Sequence, residues 1–189
     1  PGFRLPEARA GWTPPTLPGY VAVSATVLTG VYLDEQWRLF YSGLRRRAPT
    51  GDAGNSIFVY QLDRWPDADY SAYPGLEPGD ADRMLGNELL QVQWFDRAIV
   101  HYRRALARQP DQPIVLQHLG AALLATGDAA SAVSPLEQAV ARNPQSGLAH
   151  YLLATALFDL REHPDRIIAH AERAVAMLPT NQAALLLLA

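Results

Sequence analysis

Three Ala-x-x-x-x-Pro signatures, Ala105/Pro110, Ala139/Pro144 and Ala174/Pro179, recur at separations of 34 and then 35 residues. A fixed period of this size marks a stack of short helical units, because one such unit cannot bury its own apolar face and needs its neighbour. The stretch from about Gly79 to Pro179 is thereby constrained before any other residue is considered. It carries no recognisable catalytic pattern, so it predicts an interaction scaffold rather than an active centre.

Aligning the units on their closing prolines brings further residues into register. The first unit shows Leu85-Gly86, Ala98, Tyr102, Ala105 and Pro110; the second shows Leu119-Gly120, Ala132, Leu136, Ala139 and Pro144. Two antiparallel helices can cross closely where Gly86 and Ala98, or Gly120 and Ala132, remove side-chain bulk. Ala105 and Ala139 let the next unit pack, and proline ends the second helix because it cannot continue the hydrogen-bond ladder. The predicted helices are 80–93 and 95–108, 113–126 and 129–142, 147–160 and 164–177, then 181–189. The third unit is degenerate: Leu153-Ala154 replaces Leu-Gly, Ile167 stands where a small residue belongs, and one residue is inserted near His163-Pro164. Pro164 suits the first turn of its helix. Thr180 to Ala189 starts a fourth unit and ends on four leucines, a poor cap for a solenoid. Together with a start at Pro1 rather than Met, this predicts a piece cut from a longer chain.

The pattern of Leu-Gly, small residue, aromatic, alanine and closing proline resembles the tetratricopeptide repeat, with Leu136 departing from the aromatic. The resemblance implies a mainly α fold, a helical-hairpin solenoid of about three repeats plus a partial fourth. It also implies that one face of each first helix lines a concave groove for a protein or peptide partner. Carried over place by place, that face is Asp80, Arg83, Asn87, Leu90 and Gln91 in the first unit. It is Ile114, Gln117, Ala121, Leu124 and Ala125 in the second, and Leu148, Tyr151, Thr155, Phe158 and Asp159 in the third. The expected groove is polar at the first unit and apolar at the third, which suits an extended peptide or an amphipathic helix. Family members that clamp a peptide's terminal carboxylate need cations across three units. This chain offers Arg83 and Asn87, then His118 where an asparagine belongs, and Leu148 and Leu152 where cations belong. A desolvated carboxylate there would lack its charge partners, so the clamp is rejected.

Residues 1–64 differ in kind. Pro1, Pro6, Pro14, Pro15 and Pro18 predict an irregular arm, with Trp12 placed to pin it. Residues 20–28 (YVAVSATVL) and 56–62 (SIFVYQL) are dense in β-branched residues and predict strands, the first covered on both faces. Between them Asp34 caps a predicted helix reaching Arg47, with Trp37, Phe40, Tyr41 and Leu44 on one face. A breaker-rich loop follows at 48–55. Strand, helix and strand in this span predict a right-handed βαβ crossover, that is, a small α/β segment with parallel strands. Residues 65–78, rich in Pro, Gly and Asp, predict a linker before the repeat domain at 79–189.

The words PGYVAVSATVLTGVYL at 18–33, WRLFYSGLRRRAP at 37–49 and GNSIFVYQL at 54–62 also resemble the soluble C-terminal tail of membrane glycosyltransferases of the protein-mannosyltransferase-like class. Those enzymes use polyprenyl-phosphate sugars and keep their catalytic acid in membrane loops, so no catalytic residue carries over. The resemblance implies a membrane-anchored parent chain and a periplasmic or extracytoplasmic setting; without it a cytoplasmic setting is expected.

Composition excludes several functions. With no cysteine, thiol catalysis and cysteine-based zinc sites are out. A net charge of −3, with Arg45-Arg46-Arg47 the one basic run, argues against a nucleic-acid partner. The apolar run from Tyr20 to Leu33 is too short and too interrupted to span a bilayer. The aspartates Asp67, Asp69, Asp80 and Asp82 lack the spacing of a calcium loop. The five histidines form no HExxH and no i, i+4 pair, so no metal site is expected. No nucleophile elbow or phosphate loop occurs, and no cofactor is expected. Two functions follow: a scaffold that binds a protein partner in its groove, or the extracytoplasmic accessory tail of a glycosyltransferase whose catalysis lies outside this chain.

Overall fold

The computed structural model describes residues 18–24, 41–54, 57–63, 77–161 and 163–188. The proline-rich arm, the far end of the first predicted strand, the helix start at Asp34 with Trp37 and Phe40, and residues 65–76 lie outside them. The chain forms two compact units, Pro1–Leu85 and Gly86–Ala189.

The first unit holds a three-stranded sheet of β1 (Gly19–Ser24), β2 (Gly51–Ala53) and β3 (Ile57–Leu62), in the order β1-β3-β2. This corrects the expected parallel pair. β1 runs antiparallel to β3, with Val21 opposite Tyr60 and Val23 opposite Phe58. β2 is also antiparallel to β3, with Gly51 opposite Val59. The breaker-rich loop therefore supplies a strand. Gly54, at φ +63°, turns β2 back towards β3, and the Thr50 N–H and hydroxyl both donate to the Val59 carbonyl, at 2.8 and 3.0 Å. Since β1 and β2 both oppose β3, they run the same way with β3 between them, so the crossover joins β1 to β2 in a split βαβ arrangement. The expectation that the first strand is covered on both faces also fails. Val21 and Val23 are buried while Tyr20 is 70% exposed. An antiparallel sheet can leave one face to water, which a parallel one rarely does. Residues 41–45 are helical, with Leu44 fully buried.

Helix α1 (Pro78–Gln91) carries the chain from the first unit into the second. There follow α2 (Phe95–Arg108), α3 (Pro113–Ala125), α4 (Ala129–Arg142), α5 (Gly147–Asp159), α6 (Pro164–Met177) and the short α7 (Gln182–Leu186). The second helices α2, α4 and α6 match the bounds expected from the signature prolines. Helices α2 to α7 pack successively against their neighbours, and α3 also packs on α5. The fold is a solenoid of helical hairpins. Leu116, Ala139 and Ala149, with Leu106 and Val140 against them, form a buried cluster drawn from helices of all three hairpins.

Each hairpin closes on glycine or alanine. A Cβ on Gly86 would sit 2.6 Å from Tyr102 Cε1, and one on Gly120 would sit 2.4 Å from both Cγ and Cδ2 of Leu136. The helices approach so closely that no methyl fits between them. In the third hairpin Ala154 takes the glycine's place, and Ala171 takes the place of Tyr102 and Leu136. Both alanines are fully buried. The bulk added on one helix is removed from the other, which keeps the packing dense.

The tight turn inside each hairpin needs one residue in the left-handed region. Gln93 (φ 60°), Gly127 (φ 80°) and Arg161 (φ 54°) stand there at the 34-residue period, and the insertion adds His163 (φ 51°). Side-chain caps open several helices: Asp128 accepts from the Ser131 N–H at 3.0 Å, and Ser146 accepts from the Ala149 N–H at 3.2 Å. Hydrogen bonding to Ser131, first through its side chain and then through its backbone N–H, holds the Asp128 carboxyl below its ordinary pKa.

Candidate binding groove

The residues expected to line a groove lie on α1, α3 and α5. The repeat period places Ile114 and Leu148, Gln117 and Tyr151, Ala121 and Thr155, Leu124 and Phe158, and Ala125 and Asp159 at equivalent positions of α3 and α5. Ile114 is 62% exposed, Leu148 41% and Phe158 56%. Asn87, Leu90, Gln117, Ala121, Leu124, Tyr151 and Thr155 are half-buried, while Gln91, Ala125 and Asp159 are exposed. Asp80 and Arg83 belong to the first unit, where their side chains pair at 3.3 Å.

Several polar members of this set are already engaged. Asn87 Oδ1 accepts two hydrogen bonds, from the Tyr102 hydroxyl and from His118 Nδ1, each at 3.0 Å. A carbonyl oxygen can only accept, so neutral His118 carries its proton on Nδ1. The rings of Tyr102 and His118 lie 5.8 Å apart at 49°. Burial lowers the His118 pKa and raises that of the fully buried Tyr102, so both stay uncharged near neutral pH. Three helices thereby fix the orientation of one amide. Gln117 Oε1 accepts from the Ser146 hydroxyl at 2.7 Å, and Ser146 also caps α5, so this bond ties α3 to the start of α5. The Thr155 hydroxyl donates to the Tyr151 carbonyl at 3.0 Å, a bond within its own helix. Sequence reasoning named His118 only as a departure from the carboxylate clamp. Its bond to Asn87, 31 positions away, had no local signal.

The charge on the two complete first helices is sparse. Neither α3 nor α5 contains a lysine or arginine, and their one carboxylate is Asp159. What they present outward is Ile114, Leu148 and Phe158, with Tyr151 half-buried beside them. Such a surface can bury apolar side chains and offers no cation to a carboxylate.

A cleft away from these residues was not anticipated. It measures about 560 Å³ and lies over α2, α3 and α4, lined among others by Arg103, Leu106, Pro110, Ser131, Pro135 and Gln138. Pro135, inside α4, removes one backbone donor from the helix there. Among the described residues no three His, Asp or Glu side chains gather as metal ligands. No helix among them is long and apolar enough to cross a membrane.

Residues 89–155 match the family model of the tetratricopeptide repeat. No curated protein matches the sequence. Among solved structures, the first tetratricopeptide domain of Spaghetti (RPAP3), bound to an HSP90 peptide, SRMEEVD, is 23% identical. It superposes with a TM-score of 0.53 over 57% of this chain and 85% of that one. The tetratricopeptide domain of Sgt2 from Aspergillus fumigatus is 24% identical, with a TM-score of 0.53 over 60% of this chain and 76% of that one. YrrB, described as having an unusual peptide-binding site, is 21% identical, with a TM-score of 0.52 over 59% of this chain and 57% of that one. These likenesses are to the repeat architecture.

Proposed function

We propose that the second unit is a protein-binding scaffold whose first helices line a groove for an apolar or amphipathic, weakly charged segment of a partner. The observation that carries this is the exposed set of Ile114, Leu148 and Phe158, with Tyr151 half-buried, on helices that hold no lysine or arginine; Ile114 and Leu148 stand one period apart. Apolar side chains left in water at equivalent positions are the arrangement a helix-in-groove or extended-peptide partner would cover. The similar RPAP3 domain with its acidic HSP90 peptide supports peptide binding as a use of this fold. Its ligand class does not transfer: a chain ending in several carboxylates would find no cation on α3 or α5. At Leu148, where a carboxylate clamp is expected to carry a cation, this chain presents exposed apolar area instead.

The resemblance of residues 18–62 to a glycosyltransferase tail gains no support from the known proteins compared. The proposal rests on the repeats alone.

A peptide-display selection against the full chain, followed by calorimetry, tests it. Selected peptides are expected to carry two or more large apolar side chains. Tyr151→Ala with Phe158→Ala is expected to weaken them at least tenfold, about 1.4 kcal/mol, with unchanged helical circular dichroism. Unchanged affinity in the double variant, or selection dominated by acidic carboxyl-terminal peptides, would overturn the assignment.

A further inference from the structure

His150 and His170 form a pair that the proposed groove does not use. His150 is fully buried on α5, and its Nε2 lies 3.1 Å from the Pro144 carbonyl oxygen. The Nδ1 atoms of His150 and His170 are 2.9 Å apart, with ring centroids 5.1 Å apart. The protons in this arrangement are determined by elimination. A carbonyl oxygen only accepts, so His150 must carry a proton on Nε2. Neutral His150 then has a lone pair on Nδ1, and His170 must donate to it from its own Nδ1. The half-buried His170 keeps a lone pair on Nε2.

One added proton fits this geometry. It goes to His170 Nε2, and the bond between the rings becomes charge-assisted. A second proton does not fit. It would have to sit on His150 Nδ1, placing two N–H groups head to head at 2.9 Å between two cations, one of them fully buried.

The surroundings oppose charge as well. Arg166 and Arg173 face the pair from α6. Glu137 approaches from α4, and its carboxylate is held by Arg166 at 2.5 Å. Helix α7 contains no ionisable residue, and α3 contains only His118. Burial is the first cause lowering both pKa values, with the mutual repulsion of the two rings next for His170.

We propose that the His150–His170 pair is an acid-sensitive latch that holds α6 on α5 while the pair carries at most one proton and releases it when both rings must be charged. The sign follows from linkage. Both folded-state pKa values lie below the unfolded value of about 6.5, so the released state binds more protons in acid. The latch is at full strength above that value. It weakens as pH falls below it, by about tenfold in the docking equilibrium per pH unit for each proton taken up. Helix α7 packs on α6 and leaves with it.

Hydrogen exchange of the full chain, read helix by helix at pH 7.5 and 5.5 and corrected for intrinsic rates, tests the latch. The opening constants of α6 and α7 are expected to rise ten- to a hundredfold relative to those of α2 and α4 at the lower pH. Burial lowers the pKa of His118 on α3 as well, so only the comparison between helices reports on the latch. His170→Asn, whose amide nitrogen occupies the Nδ1 position without a titrating ring, is expected to leave a rise clearly smaller than that of the wild type, because one of the two titrating rings is gone. Nitrogen shifts of the wild-type imidazoles at pH 7.5 should show His150 protonated on Nε2 and His170 on Nδ1. Exchange in α6 that keeps its ratio to α2 and α4 at both pH values would overturn the proposal, and so would two rings that each fill near pH 6.5 with α6 still protected.

Discussion

The contact between Gly120 and Leu136 offers a direct test of how the hairpins are held together. A methyl on residue 120 would meet Cγ and Cδ2 of Leu136 at 2.4 Å, where ordinary contacts begin near 3.4 Å. Cγ is the branch point of the leucine, so rotating its end cannot clear the way; Leu136 is also fully buried. Relief must come from moving α4 by about an ångström, an overpacking cost of about 3 kcal/mol. Alanine regains about 1 kcal/mol of helix propensity over glycine, leaving Gly120→Ala about 2 kcal/mol less stable. Leu136→Ala alone should cost about 3 kcal/mol through the cavity it leaves. In the double variant the new methyl finds space and retains its propensity gain, so the total should be about 2 kcal/mol rather than the sum of about 5. This reproduces the Ala154 and Ala171 arrangement of the third hairpin. Urea unfolding followed at 222 nm, with the slope held constant, gives the three values and a coupling energy of about 3 kcal/mol. Additive losses, or a stabilising Gly120→Ala, would refute the claim that close helix approach here depends on matched volumes.

Four further substitutions test local geometry. Gln93→Gly and Arg161→Gly relieve left-handed strain and should each raise stability by about 0.5–1 kcal/mol in urea midpoints, whereas Gly127→Ala should lower it by about 1 kcal/mol. Ser146→Ala removes both the cap on Ala149 and the hydroxyl that donates to Gln117, and should cost about 1–2 kcal/mol in the same assay.

Much of the solenoid was legible from local signals. Pro110, Pro144 and Pro179 mark where second helices stop, and Pro113 and Pro164 mark starts. The limits of α2, α4 and α6 followed from these. Even so, the glycines at 86 and 120 were read as space for a crossing helix, without knowledge that Tyr102 and Leu136 respectively were the side chains filling it. The left-handed turn was hidden because glycine occupies only one of its three places. Gln93 and Arg161 adopt that conformation because the hairpin geometry around them requires it. The groove set was placed on its helices by period, but period does not reveal that Asn87 and Gln117 spend hydrogen bonds on His118, Tyr102 and Ser146.

The sequence by itself determined the repeat length and the limits of the second helices α2, α4 and α6. Each of these is set by residues within a few turns of one another, through caps, prolines and 3.6-residue periodicity. Tertiary structure decided the rest. Strand words at 19–24 and 57–62 are the same for parallel and antiparallel pairing, and the choice fell to β2, a strand made from residues that read as a loop. His150 and His170 meet because α6 folds back on α5, 20 positions on and past an inserted residue that breaks the period. Contacts of this kind depend on how distant segments align, and on the protons and volumes that fit between them, so they become visible only when the helices are in place.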